Sequence, residues 1–221
     1  MAFQGLLKTL SALRGVKLSN RRFDPTPAAG RPPPIMFRAL EPADLAACRD
    51  IYRSNEPGRF PPGFLPELEK AIALPDCHFI VGCLGDQIVG FGGIGIPRVA
   101  TFSSISLLFG LVHPEWHRKG IGSALLLARL SMLPAPAPFR RLTLSTVQES
   151  WAYYARFGFA FCGKMEMAGQ FFDMYEALMY RQQWKQCAQI LEQAGVAGVR
   201  ELAQLRAARD AQADAERLRD I

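Results

Sequence analysis

The apolar positions of this chain change period several times, and each change marks a boundary. Residues 1–20 set Phe3, Leu6, Leu7, Leu10 and Leu13 at helical spacing, with Lys8, Arg14 and Lys17 opposite, the pattern of an amphipathic helix. Arg21 to Pro34 (RRFDPTPAAGRPPP) is too rich in proline for regular structure and reads as a linker, so the folded domain should begin near Ile35. Short runs then alternate. Met36 to Leu40 reads as a strand and Leu45 to Arg53 as a helix capped by Glu41-Pro42-Ala43-Asp44. A proline-broken connection carries Arg59, Phe60 and Phe64, residues for substrate contact or for packing under the loop, into a helix near Pro66 to Ala73.

His78 to Cys83 and Gln87 to Ile96 alternate as strands about a Leu84-Gly85-Asp86 turn. Thr101 to Val112 predicts the next strand, Gly122 to Leu133 a helix stopped by a proline run, and Arg141 to Val147 another strand. Glu149 to Phe157 reads as a helix, and Phe159 to Glu166 with Phe171 to Tyr180 as a final hairpin. From Gln182 to Ile221 the helical period returns, with Trp184, Cys187, Ile190 and Leu191 on one face and breaks at Gly195 and Gly198. Strands first and last, with helices between, predict an α/β (α+β) single sheet over 35–181, with extensions at 1–34 and 182–221.

Composition narrows the class. With 49% hydrophobic residues the chain has enough apolar surface for a buried core, yet no apolar run approaches the roughly 20 residues that cross a bilayer. The formal charge of +6 suits an anionic ligand, and because the bases are scattered it does not call for nucleic acid. The 5 cysteines are odd in number and lack C-x-x-C spacing, which predicts free thiols in a reducing, cytoplasmic setting. Cys77, His78 and Cys83 are read as strand packing, so no metal is expected. The N-terminal helix has two readings: a membrane-surface or targeting segment, or a helix docked on the body or on a second subunit of a homodimer.

The chemistry concentrates in Leu107 to Leu127, LLFGLVHPEWHRKGIGSALLL. An apolar strand ends at His113-Pro114, a loop crosses Arg118, Lys119 and Gly120, and a helix starts at Gly122. Strand, glycine loop and helix aim backbone N–H groups and a helix dipole at an anion, and glycines let a phosphate approach the backbone. The spacing fits neither the nucleotide-triphosphate loop nor the dinucleotide fingerprint. His117-Arg118-Lys119-Gly120-Ile121-Gly122 resembles instead the Q/R-x-x-G-x-G/A pyrophosphate loop of the GCN5-related N-acetyltransferase (GNAT) family, with histidine in the first position. Tyr153-Tyr154-Ala155-Arg156-Phe157-Gly158-Phe159 resembles the family's Y-x-x-x-G-F segment.

The resemblance covers about Ile35 to Arg181. It implies a mixed, mainly antiparallel sheet flanked by helices, the acyl-CoA N-acyltransferase fold, with acetyl-CoA as cosubstrate and no metal. It implies that Leu111 and Val112 pair with the pantetheine arm and that His117, Arg118, Lys119, Gly120, Ile121, Gly122 and Ser123 hold the pyrophosphate. It makes Tyr154 the acid that protonates the leaving thiolate, with Tyr153 as rival. The acceptor is expected to be a primary amine on a small molecule or a protein. An asparagine that such proteins often carry before the last helix is replaced here by Gln148, Glu149 and Ser150. A strand glutamate present in some lysine-modifying members is replaced by Ser106, leaving Glu56, Glu115 and Glu149 as candidate bases. The alternative reading is a CoA-binding regulatory or assembly module without turnover.

Overall fold

The computed structural model describes residues 23–25, 32–56, 62–96, 104–133, 139–146, 151–167, 169–202, 204 and 207. The N-terminal helix, Arg59, Phe60 and residues 148–150 lie outside these, as does nearly all of the chain beyond 202. In chain order the elements are β1 (Met36–Ala39), α1 (Leu45–Ser54), α2 (Leu65–Ala73), β2 (Cys77–Leu84), β3 (Gln87–Gly95), β4 (Ser104–Val112) and α3 (Ile121–Ser131). They continue with β5 (Phe139–Thr146), α4 (Trp151–Ala155), β6 (Ala160–Met167), β7 (Gln170–Tyr180) and α5 (Arg181–Gln193). The 7 strands form one sheet in the order β1-β2-β3-β4-β5-β7-β6. Every pairing is antiparallel except β4 with β5. This is the expected mixed, mainly antiparallel sheet.

Two apolar layers cover it. On one face α1 and α2 bring Ile51, Tyr52 and Leu68 onto Phe79, Val81, Phe91 and Leu111. On the other, α3 packs with Ile80, Ile94, Ile105 and Leu142. The sequence SALLLARL is apolar nearly all round because α3 is buried on every side, between the sheet and α5. Helix α5 contributes Cys187 and Leu191 to that same core.

Two local features bear on the sequence reading. Cys77 and His78 are adjacent in β2, so their side chains leave opposite faces of the sheet and cannot meet one ion. The linker touches the body: Phe23 pairs with Phe157, ring against ring at 6.3 Å, and the Asp24 N–H donates to the Arg156 carbonyl. Among the described residues, no helix is long and apolar enough to cross a membrane.

Candidate active site: a cleft between diverging strands

Among the described residues, strands β4 and β5 pair only where Ser104–Ser106 meet Arg141–Thr143. Both continue beyond that point, β4 to Val112 and β5 to Thr146, so the sheet opens into a cleft with a volume of about 390 Å³. A β-bulge shapes its β4 wall. Phe91 faces Leu111 and Gly93 faces Leu108, which leaves Phe109 and Gly110 together opposite Gly92. Phe109 accommodates the extra residue at a φ of 42°. Leu108 and Phe109 consequently share the α1 face, and the alternation is reset for Gly110, Leu111 and Val112. A continuous apolar run LLFGLV can thus serve both faces without a polar residue.

Beyond the bulge the backbone turns its outer side to the cleft. The His113 N–H donates to the Val89 carbonyl at 2.9 Å. Hydrogen-bonding direction alternates along an antiparallel strand, so the preceding residue, Val112, directs its N–H and carbonyl away from β3. The Val112 carbonyl is held by the Asn55 amide at 3.1 Å and lies 2.7 Å from the His117 ring Nε2. His117 therefore braces the strand end. That contact engages Nε2 of the ring, and His117 also lines the cleft.

The loop that follows has the backbone of an anion site. Arg118 (φ 63°) and Gly120 (φ 80°) are both left-handed, and Gly120 caps α3 directly. Left-handed residues interleaved with ordinary ones turn successive N–H groups inward, and the α3 N-terminus adds its own. Arg118, Gly120, Gly122 and Ser123 line the cleft, as do Leu111, Val112 and His117. Lys119 and Ile121 do not: Lys119 lies over the Trp116 ring at 4.3 Å, and Ile121 is in the core. Trp116 also lines the cleft, and its indole Nε1 is buried without a hydrogen-bond partner.

Tyr153 and Tyr154 of α4 close the cleft, their rings 5.0 Å apart. Burial pushes the Tyr153 phenol up to about 12 and raises Tyr154 as well, with Arg129 opposing the rise. Both are protonated near neutral pH, the state an acid needs. The Tyr153 hydroxyl is buried beside Ser123, which opposes the rise in its pKa, whereas Tyr154 is wedged against Phe159 and Tyr175.

Three residues of this region were not anticipated from the sequence. Asn55, at the end of α1, is buried and bonds Val112 from 57 residues away. Arg129, on the inner side of α3, lines the cleft although its neighbours are all core residues. Glu176 of β7 is 1% exposed and sits in one row with Thr143 of β5 and Ser106 of β4. Burial raises its pKa, and Arg141, donating at 3.1 Å, opposes this. No local motif marks any of them; only the amide at Asn55 beside an otherwise apolar helix face was a signal. Of the bases considered, Glu115 is exposed, and Glu56 accepts the Gly63 N–H at 3.2 Å.

A sheet that parts beside a bulged strand and runs from it into a glycine-started helix is the architecture of acyl-CoA N-acyltransferases. A protein of the GNAT family from Desulfovibrio desulfuricans superposes with a TM-score of 0.52 at 22% identity, over 64% of this chain and 97% of that one. The ribosomal-protein-S18-alanine N-acetyltransferase of Escherichia coli gives 0.53 at 15% identity, over 66% and 94%. N-acetylglutamate synthase of Neisseria gonorrhoeae, solved with coenzyme A and N-acetyl-glutamate, gives 0.52 at 15%, over 66% and 35%. At these identities the likeness is one of fold. No curated protein matches the sequence. The sequence pattern of the acetyltransferase (GNAT) family, however, matches residues 45–159. The chain belongs to that family and is an acyl-CoA-dependent N-acetyltransferase.

Proposed function

We propose that the protein transfers the acetyl group of acetyl-CoA to a primary amine, on a small molecule or a protein, by direct attack within the β4–β5 cleft. The observation that carries this is the continuity of the left-handed loop at α3 with the outward-facing backbone of Val112. A pyrophosphate seated on Arg118, Gly120, Gly122 and Ser123 leaves the pantetheine arm to run along β4, with the thioester carbonyl accepting from the Gly110 or Val112 N–H. An N–H already aimed at the carbonyl stabilises the charge that develops on its oxygen.

The neutral amine attacks the carbonyl carbon; the C–N bond forms, the C–S bond breaks, and the departing thiolate takes a proton from Tyr154. The attacking amine must lose a proton, and Glu176 is the carboxylate we assign to receive it, through water and the Ser106 and Thr143 hydroxyls, which lie 3.2 Å apart. The test is release of free CoA thiol across a panel of amines and peptides. Tyr154→Phe should lower kcat by roughly a hundredfold, and Tyr153→Phe much less. Equal losses in the two variants would remove the assignment to Tyr154. Binding of CoA without turnover on a broad panel would favour the binding-module reading.

A further inference from the structure

Arg129 is the charged group that the transfer chemistry above leaves unused. The residue is 4% exposed, yet it lines the cleft. Gly92 and Gly110 face each other across β3 and β4, and the slot they leave on the α3 side is filled by this guanidinium. A Cβ on Gly110 would stand 2.6 Å from its Nη2, and one on Gly92 would stand 3.2 Å from its Cδ. Among the described residues its one hydrogen bond runs from Nη1 to the Leu108 carbonyl at 3.3 Å, and its Nε has no partner. Among the described residues, no aspartate or glutamate lines the cleft.

A guanidinium keeps its proton under almost any burial, so a positive charge stands in this cleft without a counter-ion among the described residues. Buried charges are ordinarily paired, since desolvation without compensation is costly. The site is therefore built for an anion that arrives with a ligand. Its position says which part of the ligand. Arg129 is nine residues past Gly120, about 13 Å along the helix axis from the phosphate loop. It lies behind the bulge, beside Tyr153 and Tyr154, at the end of the cleft where the thioester and its acyl group would lie.

We propose that Arg129 forms an acyl-end anion site, so that the cleft takes, besides acetyl-CoA, thioesters whose short acyl chain ends in a carboxylate. This rests on the placement of the donor proposed above. The carboxylate would accept from the guanidinium in the charge-assisted geometry that favours arginine over lysine. Transfer would follow the same bond changes, with a carboxyacyl group moving to the amine.

Calorimetric titration of the full-length protein with CoA, butyryl-CoA and succinyl-CoA tests this, because the two acyl chains have the same length and differ in the terminal carboxylate. The wild type should bind succinyl-CoA about tenfold more tightly than butyryl-CoA. Arg129→Met should abolish the preference while leaving CoA affinity unchanged, and Arg129→Lys should retain part of it. Equal binding of the two thioesters by the wild type, with CoA bound normally, would overturn the anion site and leave Arg129 as a support for the Leu108 carbonyl. A preference that survives in Arg129→Met, or in Arg129→Lys alone should the methionine variant fail to fold, together with a wild type no better than it, would also overturn it. Failure of all three ligands to bind would overturn it together with the donor placement on which it depends.

Discussion

Glu176 stands in an apolar strand with Arg141 as its ion-pair partner, at 3.1 Å, and its other carboxylate oxygen is buried without a partner. Desolvation wins over the arginine, so the folded pKa lies above the ordinary value of 4.5. The folded state therefore holds this proton more tightly than the unfolded chain does. The resulting contribution to stability is fully present below the unfolded pKa and is lost as pH rises through the folded one. Glu176→Gln should remove that dependence: its Tm relative to wild type should rise between acid and neutral pH. If Glu176 also receives the amine's proton, the acid limb of the pH–rate profile should disappear in the same variant. A flat Tm difference would show that the charge is well compensated. An unchanged acid limb would remove Glu176 from the proton path.

At the scale of elements, helix starts carry the argument. The turn before α1 is fixed by Asp44, whose Oδ2 accepts the Glu41 N–H at 2.8 Å while both carboxylate oxygens take Arg38, at 2.6 and 2.8 Å. The Arg38 hydrogen bonds hold the Asp44 carboxyl below its usual range, so the pair stabilises above the unfolded pKa and is lost as pH falls through the folded one. Asp44→Ala should cost about 1–2 kcal/mol at pH 7, discounted because Arg38 keeps a third of its side chain in water. Urea melts would read this. At α3, an alanine at Gly120 would have to adopt a φ of 80°, at roughly 1–2 kcal/mol. Its larger effect should be on CoA affinity, since that backbone is where we propose the pyrophosphate sits.

Such elements were legible because their signals are local. Glycine spacing after an apolar strand located the loop, and Gly158 after Tyr154 marked the end of α4. The bulge at Phe109 and Gly110 was not legible, because parity is reset by a pairing to Gly92 that no local pattern records. Nor were Asn55, Arg129 and Glu176, each of which acts on a partner brought close by the sheet. The order of strands hid β7 as well: the final hairpin inserts β7 between β5 and β6, so Glu176 faces Thr143 and joins the row that contains Ser106.

For the whole molecule, the C-terminal segment closes the sheet's far edge instead of trailing from it. After α5, Ala197 donates to the Ile35 carbonyl at 3.1 Å and accepts from the Phe37 N–H at 3.0 Å, forming a parallel bridge beside Met36. Val196, Val199 and Leu202 enter the same core as α3. We infer that the division at residue 182 separates sequence patterns only, and that residues 182–202 fold with the body. Gly198 is the latch. Its φ is 83°, and a Cβ there would fall 1.8 Å from the Phe37 carbonyl oxygen, a backbone atom that cannot step aside. Gly198→Ala must therefore break the bridge or shift β1, and should cost about 2–4 kcal/mol in urea or thermal melts. The bridge lies at the β1 edge and the cleft between β4 and β5, so a variant that still folds should bind CoA as the wild type does. Loss of CoA binding without loss of stability would mean that the edge and the cleft are coupled through α3. An unchanged melt would mean that the segment only rests on the domain.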